Sequence, residues 1–178
     1  MTGPKQGFNI VDQLAVLRRY ARSLVRNADD AEDLVHDTLV RAYEKKATFR
    51  PGANVRSWLM SILHNTHIDR LRRRKSLDRR HDAAAEIAIP ALAANQELAV
   101  RLAQVQAAFF ELPDDQREAL HLVSIEEMTY QEAADTLNIP VGTLMSRISR
   151  ARARLRMLEE SEQRGGPRLR LVGGSDDE

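Results

Sequence analysis

Between Thr129 and Arg156 two helical periods are separated by Asn138-Ile139-Pro140, and this break limits the possible folds more than any other stretch. Thr129 and Glu132 stand at capping-box spacing, where a threonine oxygen accepts one free backbone N–H and the glutamate reaches back to another, so a helix is expected to begin at Thr129. Ala133, Ala134 and Leu137 share one face of it, and the small alanines permit close approach of a second helix. Proline disfavours helical geometry in the residue before it and lacks the donor a continuing helix needs, so the period ends there. Beyond the break, Leu144, Ile148, Ala151 and Leu155 recur at helical spacing and are expected to face inward. Met145, Ser146, Arg147, Ser149, Arg150, Arg152, Arg154 and Arg156 are left pointing outward.

Two short helices around a turn, the second basic on its outer face, form the pattern of a helix-turn-helix, whose second helix enters the DNA major groove. The same pattern also fits an ordinary helical hairpin with a solvated arginine face, so the rest of the chain has to decide.

With 178 residues there is room for one ordinary domain or two small ones. Aromatics are scarce while Ala, Leu, Arg and Glu abound, which favours an all-α fold. The net charge of +1 conceals segregated charge. Ser61 to Arg80 holds seven basic and two acidic residues, and Ile139 to Leu158 holds five basic and none acidic. Pro113 to Asn138 reverses this, with seven acidic residues and one arginine. The absence of cysteine excludes disulfides and thiolate metal sites within the chain. No apolar signal core opens the sequence, and the stretch IAIPALAA is too short and too broken by proline to span a bilayer, so a cytoplasmic protein without membrane insertion is expected.

In the first half, a helical pattern runs from about Val11 to Arg26, with Leu14, Leu17, Ala21, Leu24 and Val25 on one face. Asp29 and Glu32 repeat the capping-box spacing and predict a second helix capped by Asp29, in which Ala31, Leu34, Val35, Thr38, Leu39, Ala42 and Tyr43 follow the helical period. Its other face presents Glu32, Asp33, His36, Asp37, Val40 and Arg41, suited either to solvent or to a basic partner. Phe49 to Asn54 is a loop by its Pro-Gly and Asn chemistry. A third helix from Val55 carries Trp58, Leu59, Ile62, Leu63, Ile68 and Leu71 and ends in Arg72-Arg73-Arg74-Lys75. Trp58 suits the core better than a base-stacking platform. His64, His67 and Asp69 lack a further ligand and make a poor metal site, so hydrogen-bonding surface roles are expected for the histidines.

Residues 76–95 read as a flexible linker containing an alanine-rich stretch and Pro90. A helix over Gln96 to Leu112 is expected to use Leu98, Leu102, Val105 and Phe109 as its apolar face. Pro113-Asp114-Asp115 ends it and opens another, with Ala119, Leu120, Leu122 and Val123 inward. The Gly-, Arg- and acid-rich end predicts a disordered tail over 161–178.

Taken together, DAEDLVHDTLVRAY at Asp30 to Tyr43, FRPGANVRSWLMSILHNTHIDRLRRRK at Phe49 to Lys75, LPDDQREALHLV at Leu112 to Val123 and YQEAADTLNIPVGTLMSRISRARARL at Tyr130 to Leu155 resemble, in order, the bacterial extracytoplasmic-function (ECF) sigma factors of the sigma-70 family. The third segment is similar to the general-stress (EcfG-like) subgroup. The resemblance implies an all-α protein with sigma region 2 over 8–75, the linker over 76–95, and sigma region 4 with its helix-turn-helix over 96–160.

The resemblance also implies that Glu32, Asp33, His36 and Asp37 grip core RNA polymerase. Arg56, Trp58, Asn65, Thr66 and His67 would read the minus-10 promoter DNA as a single strand, with Arg70, Arg72, Arg73, Arg74 and Lys75 holding its phosphates. Met145, Ser146, Arg147, Ser149 and Arg150 would face the minus-35 element, where arginine can bond guanine bidentately and serine can reach either kind of base. An anti-sigma factor is implied as a further partner, with no cofactor, metal, catalytic residue or small-molecule substrate. Two other readings stand beside it: a stand-alone helix-turn-helix regulator that ignores polymerase, and a sigma mimic that sequesters an anti-sigma factor.

Overall fold

The computed structural model describes residues 10–50, 52–77 and 96–165. Of the expected linker, 78–95 lie outside the described residues, as do 166–178 of the expected tail; 76–77 and 161–165 are helical, against the linker and disordered tail expected there. Seven helices are described: α1 (Leu14–Leu24), α2 (Ala28–Glu44), α3 (Val55–Leu77), α4 (Gln96–Phe110), α5 (Asp114–Ser124), α6 (Tyr130–Leu137) and α7 (Val141–Gly165). Short 3-10 turns at Val11–Gln13 and Lys46–Thr48 flank the first pair, and there is no strand among the described residues.

Helices α1, α2 and α3 pack on one another around Leu17, Tyr20, Leu24, Leu34, Val35, Leu59, Met60 and Leu63. Helices α5, α6 and α7 do the same around Leu120, Leu122, Ala133, Ala134, Leu137, Leu144, Ile148 and Ala151. The two bundles touch where α1 meets α5 and α3 meets α6. Helix α4 lies against α7.

The helix-turn-helix forms as its chemistry requires. Thr129 Oγ1 accepts the Glu132 N–H at 3.2 Å while Glu132 Oε2 accepts the Thr129 N–H at 2.9 Å, completing the capping box. Asn138 turns left-handed at φ 52° to end α6, a conformation its short polar side chain tolerates, and α7 starts after Pro140. Leu144, Ile148 and Ala151 are buried as their spacing demanded.

Three expectations need correction. Helix α2 is capped by Asn27, whose Oδ1 accepts the N–H groups of Asp29 and Asp30 at 2.7 and 3.1 Å, and not by Asp29. Asp29 sits inside the first turn, and Glu32 is drawn away from any capping role by Arg18 at 2.9 Å. Tyr43, although in phase with the core residues, lies in the last turn of α2 and is 76% exposed. On α4, Leu102 and Val105 are exposed together with Val100, so the expected inward face is largely uncovered. The Leu98 side chain lies outside the described residues.

The Asn27 cap is directly testable. Asn27→Ala should lower the unfolding free energy by about 1 kcal/mol in urea titrations. Asp29→Ala, which removes only a favourable charge from the first turn, should cost about 0.5 kcal/mol.

Candidate nucleic-acid and polymerase interfaces

Helix α2 exposes Asp33 and His36 to solvent, with Val40 alongside. Glu32 and Asp37 flank them but are engaged. Glu32 accepts from Arg18 of α1, and Asp37 Oδ2 accepts from Arg70 Nε of α3 at 3.1 Å. Arg70 also donates to the Asp33 carbonyl at 2.9 Å, and Arg74 lies 3.6 Å from Asp30. The acidic face of α2 and the basic end of α3 thus form one continuous surface with ion pairs along the seam. Such half-exposed pairs contribute only about 0–1 kcal/mol each, so they can be exchanged for other partners at little cost.

The expected minus-10 residues on α3 divide by burial. Asn65, Arg72, Arg73 and Arg74 face solvent, while the Lys75 side chain lies outside the described residues. Trp58 is half-buried edge-on against Phe49, with ring centroids 5.2 Å apart, and packs on the core. Thr66 is wholly buried between α2 and α3. Its hydroxyl donates to the Ile62 carbonyl at 2.7 Å and accepts from Arg41 at 3.2 Å. His67 is buried too, and burial pushes its imidazole below the ordinary 6.5. The expectation of surface histidines is therefore corrected for both His64 and His67. His64, His67 and Asp69 do not converge, because Asp69 pairs with Arg41 at 3.0 Å while His64 turns toward α5.

On α7, Met145, Ser149 and Arg150 are exposed, and Ser146 and Arg147 are partly covered. Arg150 donates to Ser146 Oγ at 2.5 Å one turn earlier, while Arg147 reaches back to Asp115 of α5 at 3.3 Å. The face remains basic and open to a groove-sized ligand.

What sequence reasoning missed is where the acidic stripe of 113–138 goes. Glu118 and Glu126 are buried where the bundles meet. Glu118 Oε1 accepts the Tyr20 hydroxyl at 2.5 Å and lies 2.6 Å from His64 Nδ1. Its neighbour Arg117 donates to the carbonyls of Ser23 at 2.8 Å and Leu24 at 3.4 Å, capping the C-terminal end of α1 from the other bundle. Glu126 is gripped by a fork from Arg19, Nε to Oε1 at 2.6 Å and Nη2 to Oε2 at 2.7 Å, and by Arg56 Nη2. His121 Nε2 stands 3.1 Å from the same carboxylate. A hint existed in the sequence: Arg117, Glu118 and His121 interleave with Ala119, Leu120 and Leu122, so one turn of α5 mixes charges with core residues.

Residues 10–77 match the family Sigma-70 region 2, and residues 102–155 match Sigma-70, region 4. The ECF RNA polymerase sigma factor EcfG of Rhodopseudomonas palustris is 38% identical over 153 residues, which span 84% of this chain and 82% of that protein. The chain belongs to the ECF sigma factors. SigM of Mycobacterium tuberculosis, another ECF sigma factor, is 36% identical over 80% of this chain and 70% of its own length. Among solved structures, the sigma factor RpoE of Bartonella quintana, in complex with the anti-sigma factor NepR, superposes with a TM-score of 0.72 at 35% identity. That match covers 85% of this chain and 94% of that one. Family membership accounts for a region 2 bundle of α1–α3 and a region 4 bundle of α5–α7.

Burial alone would raise the carboxyl of Glu126. Hydrogen bonds from His121, Arg19 and Arg56 outweigh it and bring the group from the ordinary 4.5 down to about 2. Because the folded value is depressed, its stabilisation is complete above about 4.5 and is lost as pH falls toward 2. Urea titrations between those limits should show the parent chain losing stability, on the order of 3 kcal/mol, that a Glu126→Gln variant does not lose. Parallel pH profiles would contradict the assignment.

Proposed function

We propose that this ECF sigma factor binds core RNA polymerase through the acidic face of α2 and directs it to promoters with minus-10 and minus-35 elements. The observation that carries this reading is the pairing of two differently charged surfaces on region 2 with a separate basic reading helix on region 4. Asp33, His36, Glu32 and Asp37 present acid to a basic partner. Arg56, Trp58, Asn65, Arg70, Arg72, Arg73, Arg74 and Lys75 lie along α3 for the melted strand, with His67 buried on the same helix. Asn65 is its solvent-facing polar group, and Thr66 acts from within by positioning Arg41. Met145, Ser146, Arg147, Ser149 and Arg150 meet the minus-35 duplex. The linker over 76–95 passes between the two domains inside the polymerase. The chain performs no bond chemistry, uses no cofactor, and works in the cytoplasm; among the described residues no helix is long and apolar enough to cross a membrane.

The relatives support an anti-sigma factor as a further partner. The matching RpoE structure is a complex with NepR, and CnrH, 27% identical with a TM-score of 0.63, is in complex with the cytosolic domain of CnrY. Likeness to EcfG of R. palustris favours the general-stress subgroup.

Reconstituted transcription tests the whole reading: chain plus core enzyme should start promoters that core enzyme alone ignores. Asp33→Arg with Asp37→Arg should abolish capture of core enzyme. Arg150→Ala should lower transcription from minus-35-dependent promoters roughly tenfold while leaving polymerase capture intact, as expected for a lost base or phosphate contact. Unchanged capture by the double variant would favour a regulator independent of polymerase.

A further inference from the structure

We propose that Arg19 and Arg56 together form a phosphate-binding site for the promoter strand, and that the free chain fills this site with its own Glu126 carboxylate. This rests on the reading above that α3 carries the minus-10 strand, and it adds Arg19 of α1 to that path.

The geometry is that of a ligand in a site. Glu126 is 0% exposed, yet the guanidiniums that hold it come from the other bundle and reach solvent, with side-chain exposures of 48% for Arg19 and 34% for Arg56. Both donate to the same oxygen, Oε2. Two cations so close repel each other unless an anion lies between them. Arginine forks accept a phosphate as readily as a carboxylate. The carboxylate is also an incomplete ligand: Arg56 Nε is buried without a hydrogen-bond partner, so one donor of the site goes unused. A phosphate group offers further acceptor oxygens for it. Arg56 stands in the first turn of α3, whose helix dipole favours an anion although the Asn54 side chain already accepts the N–H groups of Arg56 and Ser57.

On the region 4 side the plug is specifically shaped. Glu127 adopts a left-handed φ of 54° directly after Glu126, in the turn between α5 and α6. Outside glycine this conformation costs energy, and here it accompanies a turn that sets Glu126 inward while Glu127 faces solvent. Departure of Glu126 would leave Arg19 and Arg56 on region 2 and free region 4 from the contact between α3 and α6. DNA binding and domain separation are then coupled, and each must favour the other.

The chain lacks cysteine, so two labels can be placed cleanly. Ala47→Cys on region 2 and Glu160→Cys on region 4, both exposed and outside every assigned surface, take spin labels for a distance measurement on the full chain. The probe ligand is an oligothymidylate of about 10 nucleotides, which offers phosphates without sequence. In the otherwise unaltered labelled chain, saturating oligonucleotide should lengthen and broaden the distance. Glu126→Gln should do so without DNA and raise oligonucleotide affinity about tenfold, within the ~5–150-fold span of coupled equilibria. Arg19→Gln should also open the chain but gain no affinity, because it removes part of the site. Combined with Glu126→Gln, it should reverse most of that variant's gain.

DNA that binds without changing the distance overturns the proposal, and that measurement needs no altered lock residue. An open Glu126→Gln chain with unaltered affinity, or a double variant that keeps the whole gain, overturns the phosphate site. Oligonucleotide binding that Arg72→Ala, Arg73→Ala and Arg56→Ala all leave unchanged would instead show the strand path on α3 to be wrong, whatever the distances do.

Discussion

Two carboxylates leave water when the bundles meet, and the closed arrangement depends on how fully they are satisfied. Glu118 is held by Tyr20 and His64, and Glu126 by Arg19, Arg56 and His121. A buried charge with all its partners in place is close to neutral in its net contribution. One that has lost a partner costs several kcal/mol. The interface therefore behaves as a fitted or a broken contact with little between, and Arg117 on the C-terminal end of α1 adds to its specificity. Apolar packing runs through both bundles as one buried cluster, with Tyr20 stacked on His121 where they meet, and polar matching is added to it at the junction.

The pairs on region 2 follow a different physical regime. Asp37 with Arg70, Asp30 with Arg74 and Glu32 with Arg18 are half-exposed. Solvent screens them and neither partner is stranded if the other leaves. They suit a surface that must trade internal partners for a polymerase or a phosphate backbone. The buried contacts at Glu118 and Glu126 suit a switch. Both kinds draw on arginines of α1 and α3, so the charge segregation along the chain serves folding and binding with the same side chains.

Much of the local structure was legible because its causes are short-ranged. The capping box at Thr129 and Glu132, the break at Asn138 to Pro140 and the inward row Leu144, Ile148 and Ala151 each follow from spacing within a turn or two. The same kind of reasoning misplaced the cap of α2, since Asn27 and Asp29 are both good caps and only backbone geometry chooses between them. Exposed arginines on α7 were legible as a face. Which of them is tied down was not: Arg147 finds Asp115 across a helix junction, and no periodicity encodes that distance.

Helices, their order and their apolar faces thus came from propensity, capping and period, which act between neighbours in sequence. Burial of Thr66 and His67, exposure of Tyr43, Leu102 and Val105, and the meeting of Glu126 with Arg19 came only with tertiary structure. The reason is physical: a charge's role depends on which opposite charge and how much water surround it. For Glu126 the deciding partners stand 107 and 70 residues away along the chain. In sequence the stripe around it reads only as an excess of acid; folded, its central carboxylate is held by arginines from the other half of the molecule.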